Sequence, residues 1–125
     1  MDTARPLGLA LEILRVLRSL PGTEFERRGG SLHNAVADAR KKGANRPARS
    51  STDRALLKRV ISRVDRHLPG GGNCVRRALL EISLDSGAAG ERLFAGFRTG
   101  GGAGSGHAWL ESEAPTDRYD AVISI

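Results

Sequence analysis

Hydrophobic residues recur at helical spacing in several stretches of the chain, and the first of these covers residues 7–20. This stretch predicts an amphipathic helix that ends at Pro21 and Gly22, since neither residue continues a helix readily. Its wide apolar side should dock on the rest of the domain, with the charged side facing solvent. The apolar side comprises Leu7, Leu11, Ile13, Leu14, Val16, Leu17 and Leu20, and the charged side comprises Glu12, Arg15 and Arg18.

Residues 23–51 are polar and basic and lack a sustained hydrophobic pattern. This composition predicts an irregular, partly mobile segment in which only residues 32–39 form a short helix. A basic loop can contact phosphate groups. However, aromatic residues for base stacking are not interleaved with the basic ones, and no zinc-finger or helix-turn-helix pattern is present. We therefore expect no nucleic-acid partner.

The clearest helical pattern covers residues 51–68. Ser51 or Thr52 can cap its start, and Asp53 complements the helix dipole there. Pro69 and the three glycines after it end the helix. Its apolar face is formed by Leu57, Val60 or Ile61, Val64 and Leu68.

A further helix should begin at Asn73 or Cys74, with Asn73 as a suitable N-cap, and extend to Asp85. Its hydrophobic spacing predicts one buried side and one largely solvated side. The buried side comprises Val75, Ala78, Leu79 and Ile82, and the solvated side comprises Arg76, Arg77, Glu81 and Asp85.

The last third of the chain has the shorter apolar runs that are typical of strands. Strands are predicted at residues 91–99, 107–112 and 117–125, with a flexible glycine-rich hairpin or lid at residues 100–106. Consecutive strands with short connections predict an antiparallel three-stranded meander. The fold class is therefore α+β, with a helical N-terminal half packed on a small sheet.

Length and composition narrow the class of protein further. The 125 residues predict one domain, with a helix and a basic segment in residues 1–50 and the candidate site in residues 51–125. The net charge of +6 favours acidic partners such as an acidic peptide. One cysteine and a charge-interrupted first helix indicate a cytoplasmic protein without a membrane span. The single cysteine and three scattered histidines have no metal-ligand spacing, so neither a metal nor another cofactor is expected.

Cys74 and His107 are the strongest candidates for catalytic residues. Cys74 falls in the first turn of a predicted helix, where unpaired backbone N–H groups and the helix dipole stabilise a thiolate. His107 begins a predicted strand and could serve as the base that a cysteine nucleophile requires. The two residues together predict a catalytic dyad.

A third residue should orient the imidazole, and two aspartates qualify. If the turn between the last two strands centres on residues 114–115, Asp120 shares a face of the sheet with His107, while Asp117 lies nearer the turn. A shift in the register of the turn would exchange the faces, so Asp120 is favoured and Asp117 remains the alternative.

Residues 73–80, the strand containing Gly96, His107-Ala108-Trp109-Leu110-Glu111 and Tyr119-Asp120 resemble the transglutaminase-like cysteine peptidases of lasso-peptide biosynthesis. The resemblance implies a papain/transglutaminase-like fold and a Cys-His-Asp peptidase that removes the leader from a ribosomally made precursor peptide. A separate leader-recognition protein and an ATP-dependent cyclase would be its partners. By resemblance, Cys74 attacks the peptide carbonyl and His107 acts as base and then acid. The Cys74 N–H and the Asn73 side chain would bind the oxyanion, and Trp109 would pack beside the thiol.

The alternative function is a noncatalytic peptide-binding or scaffold protein of the same fold. In that case the basic surface would hold an acidic leader peptide, and Cys74 would be a small core residue.

Overall fold

The computed structural model describes residues 5–98, 106–113 and 119–125, with side chains from residue 8 onward. In this part of the chain, five helices accompany one three-stranded antiparallel sheet, which confirms the α+β class. The elements are α1 (Arg5–Arg28), α2 (Leu32–Ala44), α3 (Ser51–Arg66), α4 (Cys74–Leu84), α5 (Ser86–Ala89), β1 (Leu93–Phe97), β2 (Gly106–Leu110) and β3 (Ala121–Ser124). None of the helices in the described ranges combines the length and apolar character needed to cross a membrane.

Helix α4 lies at the centre of the fold, because it contributes to both clusters of the hydrophobic core. Leu79 and Ile82 pack with residues of α2 and of the sheet, including Val36 and Leu110. On its other side, α4 packs Leu80 against α1 and α3. Because most residues of α4 are buried, its first residue, Cys74, is held firmly in place by the core.

The order of the strands is β2-β1-β3, so the predicted meander is wrong. Strand β3 pairs with β1 instead of β2, and the pairing continues into Ile125, which exchanges two backbone hydrogen bonds with Leu93. Arg40 of α2 also donates to the Ile125 carbonyl, at 2.7 Å. The outer edge of β2 faces the start of α4, where the Ala108 N–H donates to Cys74. Both contacts favour β1 as the central strand.

Helix α1 continues through Pro21 to Arg28, so the predicted end at residue 21 is wrong. Proline removes only one backbone donor, and contacts with the rest of the fold hold the turns that follow it. Thr23 is buried, and Glu24 forms ion pairs with Arg27 and with α4. Tertiary packing therefore outweighs the helix-ending tendency of residues 21–22.

The face that α1 buries differs in part from the predicted one. Glu12 and Val16 are buried, and the Glu12 carboxylate forms an ion pair with Arg49 at 2.6 Å. Of the predicted apolar side, Leu11, Ile13, Leu14 and Leu17 are 38–50% exposed, whereas Val16 and Leu20 pack on the core. The buried ion pair of Glu12 places part of the predicted charged side against the core as well.

Helix α2 is longer than the predicted residues 32–39 and packs closely on α4. It buries Ala35, Val36, Ala39 and Gly43. At Gly43, an added Cβ would lie 1.8 Å from the carbonyl oxygen of Ile82, so the backbones of α2 and α4 are in direct contact there. Much of the segment expected to be irregular is therefore a core helix.

The helix caps were predicted with partial success. Asn73 caps α4 as expected, since its Oδ1 accepts from the Arg76 N–H at 2.9 Å. Helix α3 is capped by Ser50, so the choice of Ser51 or Thr52 is wrong by one or two residues. Such one-residue differences are common at helix ends.

Three charged residues of α4 and its C-cap, expected to be solvated, are buried. Arg76 lies against Asp65 of α3, while Glu81 and Asp85 both face Arg54. Arg77 remains partly exposed. The prediction was wrong for Arg76, Glu81 and Asp85 because each of these charges has an oppositely charged partner on α3, and pairing permits burial.

Candidate active site

A tight glycine turn connects α3 to the start of α4. Gly70 and Gly72 have φ angles of 71° and 82°, in the left-handed region that residues other than glycine rarely adopt. An added Cβ at Gly71 would lie 3.0 Å from the carbonyl oxygens of Asp65 and Arg66, so this turn packs directly on the end of α3. The turn therefore fixes where Asn73 and Cys74 begin the next helix.

The thiol of Cys74 lies between the first turn of α4 and the outer edge of β2. Its Sγ accepts a hydrogen bond from the Ala108 N–H at 3.3 Å. The N–H groups of the first helical turn have no carbonyl partner within a helix, and the helix dipole places partial positive charge there. Cys74 is half-buried and packs on the core cluster. This environment offers the Ala108 N–H and the positive end of the helix dipole to a thiolate, and it leaves the residue partly exposed.

His107 lies on β2 opposite Gly96 of β1. Its ring stacks on Trp109 at 5.9 Å and on Tyr119 at 6.4 Å between ring centroids, with interplanar angles of 20° and 16°. The stack extends over Gly96, where an added Cβ would lie 2.6 Å from Cγ of Tyr119. The missing side chain of Gly96 is thus what allows Tyr119, on the far side of β1, to reach the imidazole.

Cys74 and His107 line the same cavity of about 280 Å³ at the edge of β2, and Trp109 lines it with them. Successive side chains of a strand point to opposite faces, and Ala108 faces the core. The imidazole therefore lies on the other face, in the aromatic stack. No hydrogen bond joins the Cys74 thiol to the His107 imidazole, both of which lie in the described part of the chain. The thiol instead accepts from the backbone N–H of Ala108, the residue after His107.

Of the two candidate third residues, only Asp120 lies within the described residues. It comes just before β3, is exposed, and its backbone N–H donates to the carbonyl of Phe97 at 2.9 Å. The pairing of β2 with β3, on which the preference for Asp120 was based, is absent because β1 lies between them. Asp117 falls outside the described residues, so the choice between the two aspartates stays a prediction.

A group of charged residues lines the cavity below the thiol, and sequence reasoning missed it. Lys58 of α3 pairs with Glu113 at 2.7 Å and lies 3.8 Å from Glu81, whose carboxylate also accepts from Arg54 at 2.8 Å. Burial raises the pKa of Glu81 to about 7 against the opposing effect of the Arg54 hydrogen bond, and the nearby charge of Glu113 raises it further. The spacing of positions 74, 78 and 81 on one helical face was the signal that could have revealed Glu81.

The described part of the chain contains no group of three His, Cys, Asp or Glu side chains that could hold a metal ion. Comparisons with protein-family models, with curated proteins and with solved structures found no match to this chain. The chemistry of the site therefore has to be argued from its own residues.

Proposed function

We propose that the protein is a thiol-dependent peptidase with Cys74 as its nucleophile and His107 as its base. The observation that carries the proposal is the position of the Cys74 sulfur. It lies at a helix start, in a cavity of about 280 Å³, and accepts from the amide adjacent to His107. A thiolate is the reactive form of cysteine, and the helix start and the amide hydrogen bond both favour negative charge on the sulfur, while the cavity leaves room for a substrate.

The reaction would proceed in two steps. In the first, His107 takes the thiol proton, Sγ forms a bond with the carbonyl carbon of a peptide, and the C–N bond breaks as His107 returns the proton to the leaving amine. In the second, water gives a proton to His107 and attacks the thioester carbon, the C–S bond breaks, and His107 returns the proton to Sγ as the carboxylic acid is released. The Cys74 N–H and the Asn73 side chain are the proposed oxyanion donors, although Oδ1 of Asn73 already accepts from Arg76.

The imidazole would have to leave or tilt out of its aromatic stack to reach the thiol. Catalytic hydrogen bonds are often long or misaligned before substrate binds, so a peptide in the cavity would complete the arrangement. Trp109 is placed to report this change, because it contacts the imidazole and lines the cavity as well.

The proposed substrate is the leader segment of a ribosomally made precursor peptide, processed by a papain/transglutaminase-like fold. Support comes from the resemblance of residues 73–80, 107–111 and 119–120 to lasso-peptide leader peptidases, and from the net charge of +6, which suits an acidic peptide. A helix with an N-terminal cysteine packed against an antiparallel strand that carries a histidine is compatible with that fold. A leader-recognition protein, an ATP-dependent cyclase and a cytoplasmic location belong to the same proposal.

The test measures alkylation of Cys74 by iodoacetamide as a function of pH. Because the chain has one cysteine, all of the reaction reports this residue. At about pH 6 we expect iodoacetamide to alkylate the folded protein faster than the same chain unfolded in urea, and to alkylate His107→Ala more slowly than the wild type. A folded protein that reacts no faster than the unfolded chain would refute the proposal.

A second function, noncatalytic peptide binding, is favoured by one observation: the His107 ring contacts Trp109 and Tyr119 and makes no hydrogen bond to the thiol. Cys74→Ala separates the two functions. A peptidase loses precursor cleavage in this variant and keeps peptide binding, whereas a binding module retains its full biological activity.

A further inference from the structure

Asp65 near the end of α3 and Arg76 in the first turn of α4 form a fully buried ion pair, with exposed fractions of 0% and 2%. The Arg76 Nε donates to Oδ1 of Asp65 at 2.8 Å, and Nη2 lies 2.6 Å from the same oxygen. Burying two charges costs free energy that their attraction recovers only when the geometry is good and further hydrogen bonds are made. The positions of those further bonds indicate what the pair does.

The further hydrogen bonds of this pair go mainly to the glycine turn before Cys74. Oδ2 of Asp65 accepts from the Gly72 N–H at 2.9 Å. The Arg76 guanidinium donates to the carbonyls of Pro69 and Gly70 at 3.3 and 3.4 Å. Its backbone N–H is the group that Asn73 caps. The two residues of this ion pair thus contact four of the five residues from Pro69 to Asn73.

From these contacts we propose that Asp65 and Arg76 are positioning residues for Cys74. They hold residues 69–73 so that Cys74 begins α4 with its sulfur beside the Ala108 N–H and at the positive end of the helix dipole. The inference rests on the proposed function, since it concerns the activation of the same thiol. Neither side chain is proposed to touch the substrate.

The proposed effect is geometric, because the Arg76 guanidinium is directed at Asp65 and at the carbonyls of the glycine turn. Asp65 pairs with it directly, and Glu24 of α1 lies 3.5 Å from Nη1. A lysine at position 76 would keep the positive charge but would lose the planar fork that reaches several acceptors at once. Arg76→Lys should therefore behave like removal of the side chain, and this outcome distinguishes positioning from simple charge stabilisation.

The experiment compares pH profiles of Cys74 alkylation in the wild type, Arg76→Lys and the double variant Asp65→Leu with Arg76→Met. The double variant removes both charges together, which buried sites often tolerate. We expect alkylation at pH 6 to slow by about threefold to tenfold in both, since fewer thiolates form while each remaining one is somewhat more nucleophilic. Arg49→Met is the matched control, because Arg49 pairs with Glu12 at 2.6 Å and contacts the opposite end of α4.

Circular dichroism and urea titration establish that each variant is folded under the assay conditions. A shifted profile in both variants and an unchanged one in Arg49→Met support the inference. Wild-type profiles in both folded variants overturn the inference and leave the proposed function intact. A wild-type profile in Arg76→Lys with a shifted profile in the double variant has the same consequence, because the positive charge alone would then suffice. Alkylation of the folded wild type that is no faster than that of the unfolded chain overturns the proposed function and the inference with it.

Discussion

The buried carboxyl of Glu81 should make the stability of the protein depend on pH in an unusual direction. Burial raises its pKa from the ordinary 4.5 to about 7, despite the hydrogen bond from Arg54. Between these two values the folded state binds more protons than the unfolded state, so stability falls as pH rises. At about 1.4 kcal/mol per unit, the loss across this window is on the order of 3 kcal/mol.

Glu81→Gln tests this reasoning, because the amide keeps the shape of the side chain but cannot ionise. Its stability relative to the wild type should increase by about 3 kcal/mol between about pH 4.5 and pH 8, measured by urea denaturation at several pH values. Glu91→Gln is a suitable control with the opposite sign. The pKa of Glu91 is lowered, against the effect of its burial, by hydrogen bonds from Arg54 and Ser112. Its carboxylate therefore contributes stability above its ordinary pKa and loses that contribution as pH falls.

The refuting result is a difference between the wild type and Glu81→Gln that stays constant from pH 4.5 to pH 8. Such a result would mean that the carboxylate is as well solvated by Arg54 and Lys58 in the folded state as by water in the unfolded one. A pH dependence of the same sign in Glu81→Gln and Glu91→Gln would likewise contradict the assignment of opposite shifts to two carboxylates that share one arginine.

Four further substitutions test the close contacts and the helix caps. Gly43→Ala should destabilise the fold by about 2 kcal/mol in urea denaturation, because its Cβ would lie 1.8 Å from a backbone oxygen of α4, and a neutral effect would contradict this close contact. Gly96→Ala should shift the emission of the single tryptophan, since the new Cβ would displace the ring of Tyr119, and an unchanged spectrum would refute the stack. Asn73→Ala and Ser50→Ala should each cost about 1 kcal/mol in thermal denaturation, but only Asn73→Ala should slow alkylation of the thiol; equal rates would argue against the role of the cap.

The parts of the fold that were predicted correctly depend on local sequence. Helices α3 and α4 have strong hydrophobic periodicity, and a proline with three glycines separates them, so their approximate limits and the Asn73 cap could be read directly. The position of Cys74 at a helix start follows from the same local pattern. Three strands were also foreseen from short apolar runs, although their order was not.

The parts that were missed depend on contacts between distant positions. Arg76 and Glu81 look solvated in a helical pattern because their partners, Asp65 and Arg54, lie on a different helix. Glu12 was assigned to solvent for the same reason, since its partner lies 37 residues further along the chain. Hydrophobic periodicity assigns charged residues to solvent, and it has no means to recognise a buried pair.

The strand order changes how the orientation of His107 has to be explained. With β1 in the centre, His107, Gly96 and Val122 lie in one row across the sheet, and any group from the β3 side must pass over Gly96 to reach the imidazole. The ring of Tyr119 does so, within the space that a Cβ at position 96 would occupy. Among the described residues, stacking rather than a carboxylate therefore fixes the imidazole plane. A catalytic carboxylate from the β3 side would have to displace the Tyr119 ring or approach alongside it. The position of Tyr119 therefore decides whether the neighbouring Asp120 can reach the imidazole.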